Sequence, residues 1–378
     1  MISAYIETDE KILIDDLEVS AYYVPSESPE SDGTLEWNST TLILVSIKAG
    51  NETGIGYTYA DVSVAFYIHH TLKNIIAGKN VMNIPALTSK LNREIRNNGE
   101  TGIGMMAVSA IDNALWDLKA KLLHVPLAHL LGKVKNEILI YGSGGFTSQT
   151  DAELQQQLGE WAESDIRYVK MKIGRDAEKD VQRVKLAREA IGSNAELFVD
   201  ANGAYEVKQA IALSNQFAKY DVTWFEEPVS SDNLEGLKFI REQVPGQINI
   251  AAGEYGYSLY YFRNMLRAGA VDILQADATR CGGISGFLKA GYLSEAYQIP
   301  FSSHCAPSIH LHAALSLPSF FIAEYFADHV RIEKMLFDGF IEPRKGVLKP
   351  DLSRPGIGIE FKHSDAEKYK IRMRCVGE

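Results

Sequence analysis

The spacing of apolar residues changes character once along the chain, near residue 135. Before that point, β-branched and aromatic residues gather in two runs, 17–24 and 40–47, which predict strands. The polar stretch Pro25-Ser-Glu-Ser-Pro-Glu-Ser-Asp-Gly33 between them predicts a loop, and Gly54-Ile-Gly-Tyr-Thr-Tyr59 a second, glycine-rich turn. Helices are predicted over 62–77, 87–96 and 105–122. The last is the most regular: Ala107, Ile111, Ala114, Leu115, Leu118 and Leu122 recur in steps of three and four, one face of a helix. Strands followed by helices describe a small α+β unit.

After residue 135 short apolar runs alternate with stretches of helical length. The runs 138–141, 168–172, 197–200, 223–226, 248–252, 272–275, 299–302 and 320–324 predict eight strands. Among the connections, 176–191, 207–219 and 234–244 read as helices. Such alternation implies parallel pairing, and eight units can close on themselves. The predicted fold class is therefore α/β: a modified (β/α)8 TIM-type barrel over 133–326 with an α+β capping domain over 1–132. The remaining segment, 327–378, exceeds one helix and is expected to return to the cap. An open doubly wound sheet is the alternative. It would want a phosphate loop after its first strand, and Tyr141-Gly-Ser-Gly-Gly145 lacks the GxGxxG spacing.

Composition narrows the function classes. With 46% apolar and 23% charged residues in a chain of 378, a large core is available and general disorder is excluded. A net charge of −11 argues against nucleic acid or an anionic membrane surface as partner, though not against a small anionic substrate. Cys281, Cys305 and Cys375 are odd in number and form no CxxC pair, so neither a disulfide framework nor a thiolate zinc site is expected. No basic-then-apolar leader opens the sequence, and no run approaches the ~18 apolar residues of a membrane span. The cytoplasm is the expected location.

Barrel enzymes carry their chemistry at the C-terminal ends of the strands. Here the predicted strands after the first end in Lys170-Met-Lys172, Asp200-Ala-Asn202, Glu226-Glu-Pro228, Gly253-Glu254, Asp277, Ser303-His304 and Glu324. Asp200, Glu226 and Glu254 lie 26 and 28 residues apart, one strand–helix unit each. Three carboxylates converging on a barrel mouth repel one another unless a cation sits between them. An all-oxygen donor set favours Mg2+ over Zn2+. Lys170 and Lys172 share one face of their strand. Lys172, nearer the strand end, is the candidate base, with its pKa expected to be lowered by a metal and a second lysine. Lys170 would contact a substrate carboxylate or tune its partner. His304, one unit after Asp277, would have its tautomer held by that carboxylate and face Lys172 across the mouth. Glu324 would donate a proton to a substrate oxygen if its pKa is raised; the alternative is a buried ion pair with a lysine.

The set Lys-x-Lys, Asp-x-Asn, Glu-Glu-Pro, Gly-Glu, Asp with a following Gly-Gly, and Ser-His resembles the mandelate racemase branch of the enolase superfamily, over the whole chain. The resemblance implies Mg2+ held by Asp200, Glu226 and Glu254 with Asn202 assisting. It implies Lys172 as one acid/base, the Asp277–His304 dyad as the other, and Glu324 hydrogen-bonded to the substrate carboxylate. A Lys or His base beside Mg2+ is a known pattern of that superfamily. The shared chemistry is removal of a proton α to a carboxylate. An acid sugar dehydratase, expelling the β-hydroxyl to give a 2-keto-3-deoxy acid, is the first expectation. A racemase or epimerase of a 2-hydroxy acid is the alternative. A catalytically silent carbohydrate-binding homologue is a third, and a phosphate-binding isomerase lacks its Gly-rich grip around Ser303-His-Cys-Ala-Pro307. The expected partner is a small carboxylate substrate, with the polar loop 26–32 and Tyr22, Trp37 and Tyr57 as candidate contacts beside Tyr23 and Tyr59. Relatives in this family are commonly symmetric oligomers, which implies a homo-oligomer.

Overall fold

The computed structural model describes residues 11–373. The readings of the first seven residues and of Cys375 lie outside them. The chain opens with an antiparallel sheet of β1 (Ile14–Ser31), β2 (Glu36–Ala49) and β3 (Glu52–Tyr59), with β2 central. Alternation gives it two buried faces. Leu17, Val19, Ile43, Val45 and Ile47 face the cap helices Ile84–Ile95 and Met105–Leu122. Tyr22, Val24, Leu42, Leu44 and Tyr57 face the opposite way, into the core shared with the barrel.

Two loop expectations are corrected here. The polar stretch 25–33 is mostly strand: β1 runs on past a bulge between Pro25 and Glu30 and pairs Glu30 with Trp37 and Ser31 with Glu36. Its polar residues are tolerated because they lie beyond the packed sheet, in a hairpin that leaves the cap and meets the barrel. The Gly54–Tyr59 turn is also strand, paired with β2 throughout. Its glycines serve a close approach instead: a Cβ on Gly54 would lie 2.4 Å from Ala114 O, and one on Gly56 2.4 Å from Ala110 O. The helix Met105–Leu122 thus rests directly on the β3 backbone. The segment 62–77 is interrupted, with Ser63–Tyr67 and Lys73–Ile76 joined by a wide turn of π-helix over Ile68–Leu72.

The barrel strands are β4 (Ile138–Gly144), β5 (Tyr168–Lys172), β6 (Glu196–Asp200), β7 (Val222–Glu226), β8 (Asn249–Ala252), β9 (Ile273–Ala276), β10 (Phe301–Ser303) and β11 (Phe320–Phe326). Each pairs in parallel with the next, and β11 pairs in parallel with β4, closing the barrel. A helix follows each strand. The first, Asp151–Glu163, begins with a capping box between Thr150 and Glu153. Inside, Tyr141, Phe198, Trp224, Ala251, Ile273 and Ile322 fill the lower barrel. Moving two residues toward each C-terminal end reaches Ser143, Asp200, Glu226, Gln275 and Glu324 on the same inward face. The interior therefore changes from apolar to ionic within one inward step.

After β11, the helix Ala327–Leu336 packs on the barrel. Val347–Leu348 then joins the start of β4 antiparallel. The chain continues to the cap, where Gly356 bridges Pro126 and Lys370 bridges Tyr22. Asp117 fixes this return: its carboxylate accepts Ile55 N and Ile357 N at 2.8 Å each and pairs with Lys121 at 2.9 Å. Among the described residues, no helix is long and apolar enough to cross a membrane.

Candidate active site

Lys170 is the centre of a buried ionic cluster. Its Nζ lies 2.6 Å from Glu226, 2.9 Å from Glu324 and 3.4 Å from Asp200, and 5.1 Å above the Tyr141 ring. Lys172 Nζ lies 2.5 Å from Asp200. Parallel register brings these groups together, since Lys172 pairs with Asp200 and Asp200 with Glu226 across adjacent strands. Within the strands, Trp224 Nε1 and Gln275 Nε2 donate to Glu226 Oε2 at 2.9 and 3.1 Å.

One oxygen from each of Asp200, Glu226 and Glu254 lies within 4.8 Å of the others, all three residues buried. Burial pushes the Asp200 carboxyl up, but Lys172 and Lys170 overcome it and hold the group at about 2. Burial and repulsion by Asp200 push Glu226 the other way, well above the usual carboxylate range. Adjacent acids driven in opposite directions share too little positive charge. Glu254 Oε2 and Asn202 Oδ1, both buried, have no hydrogen-bond partner. An oxygen-only set with conflicting charges and free lone pairs fits a hard divalent cation such as Mg2+.

On the other side of the mouth, His304 Nδ1 lies 2.8 Å from Asp277 Oδ2. That contact assigns the Nδ1–H tautomer and leaves Nε2 toward the cavity, 3.4 Å from Glu254 and 3.2 Å from Cys305 Sγ. Asp277 also accepts Thr279 N at 2.6 Å. Against the upward push of burial, His304 and Arg280 hold its carboxyl well below the usual range.

Among the protein's own groups, burial and Lys170 lower the Lys172 pKa, and Asp200 more than offsets them. The lowering expected of a bound metal is additional to these. One electrostatic expectation is corrected: Glu324 is not a raised acid. Lys170 outweighs burial and keeps it ionised, while Ser143 Oγ and Cys305 N donate to its two oxygens at 2.6 and 2.8 Å. The buried ion pair describes it.

A cavity of about 390 Å³ lies between cap and barrel, reached by Lys172, Asn202, Glu254 and His304 from below and by Trp37 and Tyr59 from above. Tyr22 and Tyr57 are corrected as candidate contacts. Tyr22 packs on Phe361 at 5.0 Å, and Tyr57, on the inner side of Tyr59, donates to Glu333 at 2.6 Å; neither lines the cavity. Sequence reasoning missed Arg280, which donates to Glu254 O at 3.2 Å, lies 5.6 Å over Tyr255 and lines the cavity. Its position three residues after Asp277 was the available signal. Glu227, buried with φ +37 directly after Glu226, was missed as well.

Residues 153–366 match the family profile described as enolase C-terminal domain-like, and 23–132 match that of the mandelate racemase / muconate lactonizing enzyme N-terminal domain. The chain belongs to the mandelate racemase branch of the enolase superfamily. Within it, a solved mandelate racemase/muconate lactonizing enzyme-like protein from Rubrobacter xylanophilus is 50% identical. The match covers 95% of this chain and all of that one, at TM-score 0.93. The 3,6-anhydro-α-L-galactonate cycloisomerase of Streptomyces coelicolor is 31% identical, over 92% of this chain and 96% of its own. The L-talarate/galactarate dehydratase of Salmonella typhimurium, solved with Mg and L-lyxarohydroxamate, is 26% identical. Here the coverage is 98% and 96%, at TM-score 0.88. Relatives in this branch thus include both acid sugar dehydratases and cycloisomerases.

Proposed function

We propose that the protein is an Mg2+-dependent acid sugar dehydratase. The observation that carries this reading is the pairing of two proton-transfer groups on one cavity, Lys172 from β5 and the Asp277-backed His304 after β10. Asp200, Glu226 and Glu254, with Asn202 Oδ1 beside them, would hold the ion. When bound, Mg2+ supplies Lewis-acid stabilisation of negative charge developing on a substrate carboxylate.

The chain's own residues account for the proton movements. His304 Nε2 accepts the proton α to the carboxylate, or Lys172 does so from its neutral amine with His304 starting as the imidazolium, and the electron pair passes into an enediolate. The protonated imidazole of His304 then delivers a proton to the departing β-hydroxyl, which leaves as water. The enol that remains tautomerises to a 2-keto-3-deoxy acid. Asp277 stabilises the imidazolium and fixes its orientation. Lys170 holds Glu226 and Glu324 in place, so its role is to position them. The small-molecule carboxylate is the only partner this reading requires, and a homo-oligomer is the proposed assembly.

The test is a screen of mono- and diacid sugars with Mg2+, detecting 2-keto acid and following α-proton exchange in deuterium oxide. Formation of 2-keto acid supports dehydration. Two groups facing the cavity also favour a second reading, racemisation by reprotonation from the opposite face. Deuterium incorporation without loss of water would select it. Absence of both exchange and product across the panel would remove the enzymatic reading.

A further inference from the structure

We propose that the cavity selects sugar acids with a single carboxylate, aldonates whose far end carries only hydroxyls, over the matching dicarboxylates. The proposal rests on the dehydratase reading above. If one carboxylate of a substrate is taken up beside the metal-type acids, the other end of the molecule points toward the cap. What the cap offers there decides which end groups are accepted.

Among the described residues, the cap's share of the lining holds no Lys, Arg or His. Its carboxylic acids are Asp32 and Asp61. Asp61 is exposed at the rim, and a hydrogen bond from Ser63 holds its carboxyl below the ordinary value, so it is ionised near neutrality. The cations nearest the hairpin are engaged elsewhere. Arg175 pairs with Glu36 at 2.8 Å and Arg331 with Asp328 at 2.5 Å, and neither lines the cavity. The two barrel cations that do, Lys172 and Arg280, stand on the barrel side beside the metal-type acids, 2.5 Å from Asp200 and 3.5 Å from Glu254. Among the described residues, the cap side of the lining offers no cation for a second carboxylate.

Apart from Asn202 and Glu254 beside the metal-type acids, two lining groups have free hydrogen-bonding capacity, and both are neutral. Tyr59 Oη and His329 Nδ1 are buried without a partner, and their rings stack at 3.7 Å. Burial keeps the His329 pKa down at about 4, so its imidazole is uncharged at neutral pH. A phenol and a neutral imidazole match hydroxyl groups, each of which both donates and accepts. A carboxylate on the cap side would share the lining with Asp32 and Asp61 and find no cap cation to offset them, the kind of like-charge placement that rejects a wrong ligand.

The test uses the full chain loaded with Mg2+ and matched pairs, gluconate with glucarate and galactonate with galactarate. Binding is measured by calorimetry and α-proton exchange is followed separately. For at least one pair, the aldonate is expected to bind about 30-fold tighter or better. Equal or tighter binding of the dicarboxylate in both pairs, or no binding of any of the four, overturns the proposal. Exchange without the aldonate preference overturns the selectivity and keeps the dehydratase reading. The preference, with no exchange by any sugar acid of the wider panel, supports the selectivity and sinks the dehydratase reading. Leu35→Arg, at the exposed hairpin tip, is expected to raise dicarboxylate affinity about 10-fold and Asp61→Asn about 3-fold, each narrowing the preference for the aldonate. A Leu35→Arg protein with unaltered dicarboxylate affinity would overturn the assignment of this discrimination to the cap.

Discussion

The two walls of the cavity are built in opposite ways. The barrel wall, with Lys172, Glu254 and His304, is backed by a dense ionic layer: Lys170, Asp200, Glu226 and Glu324 are fully buried, each on a strand whose neighbours are themselves hydrogen-bonded. The cap wall is a hairpin tip held by its own turn, with Asp32 Oδ1 accepting Thr34 N and Leu35 N at 2.6 and 2.7 Å, and Leu35 exposed. A barrel-wall group cannot change without leaving a buried charge unpaired. A cap-wall side chain can change with little effect on the rest of the fold. The difference separates chemistry, which needs fixed geometry, from selectivity, which needs room to vary.

The sharpest way to break this contrast is at the proton-transfer groups. Lys172→Ala and His304→Ala are each expected to lower turnover about 10³-fold or more with circular dichroism and melting temperature preserved. Near-wild-type turnover in either would remove that residue from the chemistry. Asp200→Asn should abolish Mg2+ binding in calorimetry together with activity. A variant that binds Mg2+ as tightly as wild type would refute that acid as a ligand. Lys170→Met tests the barrel wall as a structural unit. It leaves buried Glu226 and Glu324 without their cation, while Asp200 keeps Lys172, and should cost about 3–5 kcal/mol in denaturant unfolding. Stability within error of wild type would mean the cluster relaxes more freely than its burial implies.

The cap should respond more gently. A Cβ on Gly33 would lie 2.4 Å from Ala201 O and 2.7 Å from Ile173 O, so Gly33→Ala must lift the hairpin off the barrel mouth. The expected result is a rise in KM of about 10-fold with melting temperature nearly unchanged. The smallest effect concerns Glu30, which accepts Trp37 Nε1 at 2.8 Å. Burial, then Asp328, raises its pKa from 4.5 to about 8. The folded protein therefore binds a proton that the unfolded chain releases above about 4.5. Glu30's contribution is complete below that pH and is lost as pH rises toward 8. Melting temperatures of wild type and Glu30→Gln, compared from pH 5 to 8, should show a downward slope in wild type that the variant lacks. Parallel curves would refute a protonated Glu30.

The same contrast decided what could be read from sequence. The barrel strands and the ionisable groups closing them were legible because repeating units place each strand end at a regular interval. The inward parity of Lys170 and Lys172 followed from strand geometry alone. Gln275 and Trp224 were hidden because they lie inside strands, where a polar or aromatic residue reads as packing. Arg280 and Glu227 were hidden because they lie in the turns beyond, where no periodicity operates. The cap gave less. Loop-like composition over 25–33 concealed a strand, since β pairing needs only a partner's backbone. Tyr57 and Tyr59 share a face, but only Tyr59 sits far enough along β3 to reach the cavity, a matter of depth that alternation does not encode.

The return of the chain to Tyr22 and Pro126 has a consequence for biosynthesis. Strand β1 leaves the ribosome before the barrel, yet Phe361 and Lys370, which cover Tyr22, emerge about 350 residues after it. At roughly 5–20 residues per second that interval is about 20–70 s. Throughout it the inner face of the nascent cap, with Tyr22, Val24, Leu42 and Leu44, lacks the barrel and tail that bury it. The cap sheet, made before the barrel, is thus finished after it. Its apolar face is what a chaperone would meet on the growing chain.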